Sequence, residues 1–181
     1  MVAFAITISQ LDAAGARAAV PALAEVLIDC VERGASVSFM WPLSQEKAEA
    51  FWREVAEGVA RGERLLLAAR RDGVVVGTVQ LVLNLPENQP HRADLAKMLV
   101  HGSVRRQGLG ERLVRAAEDA ARAAGKTLLV LDAVTGGDGE RLYARLGWTR
   151  VGVIPDFALF PDGRPCDTTY FFRRLEVSSA E

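Results

Sequence analysis

From Leu95 to Asp132 the chain spells an apolar strand, a glycine turn, a helix and a second apolar strand, and this order leaves little freedom of fold. Leu95–Val100 is the first strand-like run, Arg105-Arg106-Gln107-Gly108-Leu109-Gly110 the turn, and Glu111 onward an amphipathic helix that Gly125 ends. Thr127–Asp132 is the second strand, and a helical crossover of this length makes the two strands parallel, with right-handed chirality. A strand that runs through glycines into a helix also collects unpaired backbone N–H groups at the positive end of the helix dipole. That arrangement suits a phosphate group.

The remaining segments predict a small sheet around this unit. Ala3–Ile8 reads as a strand and Leu11–Val31 as an alanine-rich helix that Pro21 restarts or kinks. Ser44 is placed to cap a helix whose apolar face is Ala48, Phe51, Trp52, Val55 and Val59. Leu65–Arg70 and Val74–Leu83 form a hairpin about Asp72-Gly73. The prolines of Asn84–Arg92 mark a loop, and Ala93–Val100 is the full extent of the strand before the glycine turn. Gly136-Gly137-Asp138-Gly139 turns the chain into a short helix, Glu140–Leu146, closed by Gly147. Strands at Trp148–Ile154 and Thr168–Leu175 complete the order β-α-α-β-β-β-α-β-α-β-β. The expected fold is α/β (α+β), one domain over residues 1–175 with a short tail at 176–181.

The charge balance narrows the function. A net charge of −1 favours neither nucleic acid nor an anionic membrane as partner. No apolar run approaches the roughly 18 residues that span a bilayer. The first residues lack a basic segment followed by a hydrophobic one, so no secretory signal is read and a cytoplasmic location is expected. Two cysteines, Cys30 and Cys166, do not make a disulfide framework. His91 and His101 have no carboxylate or thiol at ligand spacing, so no metal is expected.

The turn is neither of two common phosphate loops. A Walker loop needs Gly-Lys-Ser/Thr after a four-residue spacer, and a dinucleotide fingerprint needs a third glycine. Arg105-x-x-Gly108-x-Gly110 instead resembles the pyrophosphate loop of the GCN5-related N-acetyltransferase (GNAT) family. The element order and Tyr143-Ala-Arg-Leu-Gly147-Trp148 extend the resemblance over nearly the whole chain. Gly34-Ala35-Ser36-Val37 before Phe39-Met40, and Thr149–Gly152 followed by Pro161–Arg164, resemble members that acetylate an amino-acid-derived toxin.

The resemblance implies a mixed, mostly antiparallel sheet of about seven strands, splayed between the fourth and fifth, with about four helices. It implies acetyl-CoA as co-substrate, its pantetheine arm added as a pseudo-strand along Met98, Leu99 and Val100. The pyrophosphate would then lie on Arg105, Arg106, Gln107, Gly108, Leu109 and Gly110. Acetylation of an amine sets three tasks: removing the ammonium proton, holding the oxyanion and protonating the leaving sulfur. Tyr143 is the expected acid, and Asp132 and Asp94, at strand ends facing the cleft, are the expected bases. Ser36, Phe39 and Trp41 are expected to line the acceptor pocket. The acceptor would be a small cationic amine, with an acyl-CoA sensor or a peptide acetyltransferase as alternatives and a homodimer as a possible assembly.

Overall fold

The computed structural model describes residues 5–176, and its elements follow the expected order. They are β1 (Ile6–Leu11), α1 (Ala13–Glu32), α2 (Gln45–Ala60), β2 (Arg64–Arg71), β3 (Val74–Val82) and β4 (Arg92–Val100). A single 3-10 turn, Gly102–Val104, leads to α3 (Leu109–Ala123), β5 (Leu128–Val134), α4 (Asp138–Arg145), β6 (Thr149–Leu159) and β7 (Pro165–Arg174). The strands form one seven-stranded sheet in the order β1-β2-β3-β4-β5-β7-β6. Every neighbouring pair is antiparallel except β4 and β5.

Three boundaries differ from the expectation, each for a local reason. Asp12 caps α1, its side chain accepting from the Gly15 N–H at 2.7 Å, so β1 runs on to Leu11; Ala3 and Phe4 lie outside the described residues. Pro21 neither restarts nor interrupts α1, which is continuous from Ala13 to Glu32. The lost N–H bond, worth about 3 kcal/mol in an isolated helix, is offset by a buried face of Ala16, Val20, Leu23, Leu27 and Val31. Finally, Pro155-Asp156 is a bulge and not a turn. It lets β6 reach Leu159 and pair with a β7 that begins at Pro165.

Two apolar layers sandwich the sheet. On one face Val79, Leu81, Ala93, Leu95, Leu129, Leu131 and Phe171 pack against α3 and α4 through Leu113, Val114, Ala117, Leu142 and Tyr143. On the other, Leu66, Ala68, Val75 and Leu99 meet α1 and α2 through Leu23, Leu27, Trp52 and Val55. The second layer draws its buried strand residues only from β1 to β4, so the β5–β7 half of that face has no helix over it. No helix among the described residues is long and apolar enough to cross a membrane.

Candidate functional site

β4 and β5 pair over only three positions, Arg92 with Leu128, Ala93 with Leu129 and Asp94 with Val130. Beyond Asp94 they part, and a bulge in β4 turns its backbone: Thr78 pairs with Leu99 and Gln80 with Ala96, so Val79 faces both Lys97 and Met98. Lys97 takes a left-handed φ of 48°, which is uncommon for a residue with a Cβ. The β5 side of β4 past Leu95 therefore has no strand partner, as the expected pseudo-strand requires. Of Met98, Leu99 and Val100, Val100 is partly engaged: its carbonyl accepts from the Arg105 Nε at 3.1 Å and from the Cys30 Sγ.

The glycine turn lies at the end of this strand. Arg106 (φ 60°) and Gly108 (φ 77°) are both left-handed, and Gly108 begins α3 with no side-chain cap. The first α3 amides, at Leu109 and Gly110, thus keep their donors, and a Cβ on Gly108 would meet nothing within 4 Å. Gly110 faces inward, where a Cβ would lie 3.2 Å from Leu142 on α4. Gln107 is an exposed turn residue. Arg105, an exposed residue, bonds within the chain, its Nη2 3.6 Å from Cys30 Sγ. Asp29 of α1 braces the same segment, accepting from the Gly102 N–H at 2.8 Å and pairing with Arg33 at 2.8 Å. His101 sits 3.6 Å from Asp29, and His91 lies on the exposed loop before β4. Arg112 donates to the Ile6 carbonyl, and Arg115 pairs with Glu111.

The three expected catalytic groups lie on two sides of the sheet. Tyr143 is buried in the α3–α4 layer, its ring 5.6 Å from Trp148 and 6.1 Å from Phe171. Burial pushes its phenol well above the ordinary value, and the charge of Asp132 adds to the effect. Asp132 projects from the opposite face, in register with Tyr170 of β7. Crowding by the protein raises its carboxyl pKa, Lys97 opposes the rise, and Asp94 adds to it. Asp94 shares the face of Asp132 but is already ion-paired with Arg92, which also donates to Gln89. Of these two carboxylates, Asp132 is the one with no close ion pair among the described residues.

Asp132 opens onto a cavity of about 310 Å³ whose wall includes Ser36, Ser38, Phe39, Met40, Phe157 and Leu159. It is the only ionisable residue of that wall. The segment after α1 closes the cavity by bonding to the β6–β7 hairpin: Ser36 Oγ donates to the Leu159 carbonyl at 2.7 Å, and the Trp41 N–H to the Pro161 carbonyl at 3.1 Å. Ser36 and Phe39 reach the cavity as expected. Trp41 does not; its side chain is 48% exposed outside the wall, because its backbone is what holds the rim.

Lys97, Ser38, Phe157 and Tyr170 were not singled out by the sequence reading. Lys97 left a signal there, a lone cation in Leu95-Ala-Lys-Met-Leu-Val100. The others became relevant only through β6–β7 pairing and the α1–α2 connection. No group of three or more His, Cys, Asp or Glu among the described residues is arranged to hold a metal ion. Cys30 and Cys166 are separate buried thiols, the second 3.6 Å from Ser36 Oγ.

Residues 23–148 match the model of the acetyltransferase (GNAT) family, and the chain belongs to that family. It is 36% identical over 112 residues to an uncharacterized N-acetyltransferase from the hisH-hisA intergenic region of Azospirillum brasilense. That match covers 61% of this chain and spans 65% of the length of the curated relative. Among solved structures the chain is similar to yncA of Salmonella typhimurium with its cofactor acetyl-CoA (22% identity, TM-score 0.78, 98% of each chain). It is also similar to the ribosomal-protein-alanine N-acetyltransferase of Brucella melitensis, at 22% identity and TM-score 0.76 over 93% of this chain and 99% of that one. The mixed seven-stranded sheet with its single parallel pair, β4 and β5, is shared at the level of fold.

Gly110 offers a first prediction. Leucine in place of Gly110 must displace Leu142 and with it the helix that carries Tyr143. Overpacking of this kind costs about 1–3 kcal/mol. The variant is expected to melt several degrees lower and to bind acetyl-CoA at least tenfold more weakly, read by denaturation and by titration calorimetry. Unchanged affinity would remove the turn from the binding site.

Proposed function

We propose that this protein is an acetyl-CoA-dependent N-acetyltransferase that transfers the acetyl group directly to the amine of a small molecule. The observation that carries the reading is the parting of β4 and β5 with Tyr143 on one face of the sheet and Asp132 on the other. The residues present fit the cofactor: the α3 N-terminus is uncapped over open space at Gly108, and β4 past Leu95 lacks a partner on the β5 side. Leu109, Gly110 and Arg106 would hold the pyrophosphate through their backbone, and Met98 to Val100 the pantetheine arm. Bound acetyl-CoA supplies the acetyl thioester. Asp132 accepts the ammonium proton, directly or through water, and Tyr143 donates one to the departing sulfur. A C–N bond would thus replace the C–S bond, and the ammonium would give up two protons, one to Asp132 and a second matching the one that Tyr143 gives to sulfur, so that one proton is released overall. Asp94, held by Arg92, adds negative potential on the acceptor side.

The narrower likeness to the tabtoxin resistance protein, which acetylates the amine of an amino-acid-like toxin, fits the same reading. Of the segments that carry it, Gly34–Met40 lies against the β6–β7 hairpin that contains Pro161–Arg164, through Ser36 to Leu159 and the adjoining Trp41 to Pro161. A cavity of about 310 Å³ with largely apolar walls also favours a small molecule over a peptide. The partner is thus a small amine, in a cytoplasmic setting, with no call on nucleic acid or membrane.

Thermal unfolding with and without acetyl-CoA tests the first half of the proposal. Cofactor at 100 times its Kd should add about 2.7 kcal/mol, several degrees in a domain of this size, while ATP and NAD leave the Tm unchanged. No shift at millimolar acetyl-CoA would overturn the reading. A panel of small amines, followed by thiol release, then tests transfer; binding without turnover of any amine or peptide would point to a sensor.

A further inference from the structure

Lys97 is a cation that the proposed transfer does not use, and its surroundings are built to hold it. The β4 bulge turns its side chain into the acceptor side of the sheet, where Nζ donates to Ser38 Oγ at 2.9 Å and stands 5.7 Å from the Phe51 ring. Both ends of this contact lie on left-handed backbone at non-glycine residues, Lys97 at φ 48° and Ser38 at φ 77°. Conformations of that kind are strained for a residue with a Cβ and concentrate at ligand sites. Ser38 belongs to the cavity wall, so the ammonium stands one hydrogen bond from it.

Asp132 stands on the same cavity wall as Ser38. Lys97 and Asp132 feel one another's charge, yet no ion pair joins them, and Lys97 forms none with any other carboxylate among the described residues. Burial lowers the lysine pKa, Asp132 opposes the fall and Arg64 adds to it, and an anion brought by a ligand would offset the remaining cost. Opposite charges held apart at one cavity suit a ligand carrying both. Between them the wall is apolar, with Phe39, Met40, Phe157 and Leu159.

We infer that the acceptor is a zwitterion, a small amino acid or amino-acid-like molecule with an apolar side chain, whose carboxylate binds Lys97 while its amine faces Asp132. The inference rests on the N-acetyltransferase reading and narrows its small amine to one that also bears a carboxylate, with Lys97 as the group that binds it. Lys97 is then a specificity-determining residue: it selects the acceptor without taking part in the proton transfers. Its three donors leave two for a carboxylate after Ser38 takes one.

The test compares acceptors that differ only in the carboxylate: L-leucine with 3-methylbutylamine, and L-phenylalanine with 2-phenylethylamine. The carboxylate-bearing member of at least one pair should show a kcat/KM at least tenfold higher. Lys97→Met should erase that preference through the acceptor KM and leave the KM for acetyl-CoA unchanged, and Lys97→Arg should restore most of it. Ser38→Ala, which removes only the tether, should raise the acceptor KM severalfold and guards against a folding defect in the methionine variant. Equal or faster turnover of the decarboxylated amines overturns the inference, as does a preference that survives Lys97→Met. Turnover of none of the four, in a protein that acetyl-CoA still stabilises, overturns the acceptor class but not the cofactor. Loss of that stabilisation would bring down the enzyme reading itself.

Discussion

Phenylalanine at Tyr143 is expected to lower kcat by about 10²- to 10⁴-fold, the range for removing a positioned acid, with little change in the Kd for acetyl-CoA. The ring is packed against Trp148 and Phe171, and Phe keeps those contacts, so the variant should unfold within about 1 kcal/mol of the parent. Stopped-flow release of thiol and isothermal titration separate the two quantities. Because burial and Asp132 hold the phenol above its ordinary pKa, Tyr143 stays protonated through the assay range. An alkaline fall in rate near neutrality would therefore belong to another group. Wild-type turnover in the Phe variant would exclude Tyr143 as the acid.

Asparagine at Asp132 should separate activity from stability. The side chain can no longer take a proton, and kcat/KM for the acceptor should fall about 10²- to 10⁴-fold. The folded-state pKa of Asp132 is raised, so the folded chain holds that proton more tightly than the unfolded one does. Its favourable contribution is present below the unfolded carboxylate value and is lost as pH rises through the elevated one. At neutral pH the ionised group weakens the fold. The Asn variant should accordingly melt at a higher temperature than the parent near pH 7, and the difference should vanish on acidification. In the parent, the acidic limb of kcat/KM should lie above the ordinary carboxylate range. A limb at the ordinary value, or an Asn variant with normal turnover, would shift the base to Asp94 or to water.

These two experiments bear on residues that were legible in different degrees. Tyr143 stood out because a motif surrounds it, and Asp132 because it ends the apolar run Leu128–Leu131. Asp94 looked equivalent to Asp132, since both are strand carboxylates beside the same gap. Only packing separates them: Arg92, two residues away on β4, pairs with Asp94, while Asp132 is left facing the cavity. Trp41 looked like a pocket aromatic, and its distance from the wall follows from a backbone bond to Pro161, 120 residues later.

Local chemistry decided the elements of this protein. Glycines with positive φ ended α3 and α4, Ser44 capped α2, and Asp72-Gly73 closed the β2–β3 hairpin. Each of these depends on interactions within a few residues, so each can be read in order along the chain. The acceptor site does not have that property. Ser36 and Ser38 follow α1, Lys97 sits on a bulge in β4, and Asp132, Phe157 and Tyr170 come from β5, β6 and β7. Their meeting depends on how far β4 and β5 part, on the bulge that turns Lys97 and on the length of the β6–β7 hairpin. Those are long-range balances among packing, strand register and backbone strain, and only the tertiary structure resolves them.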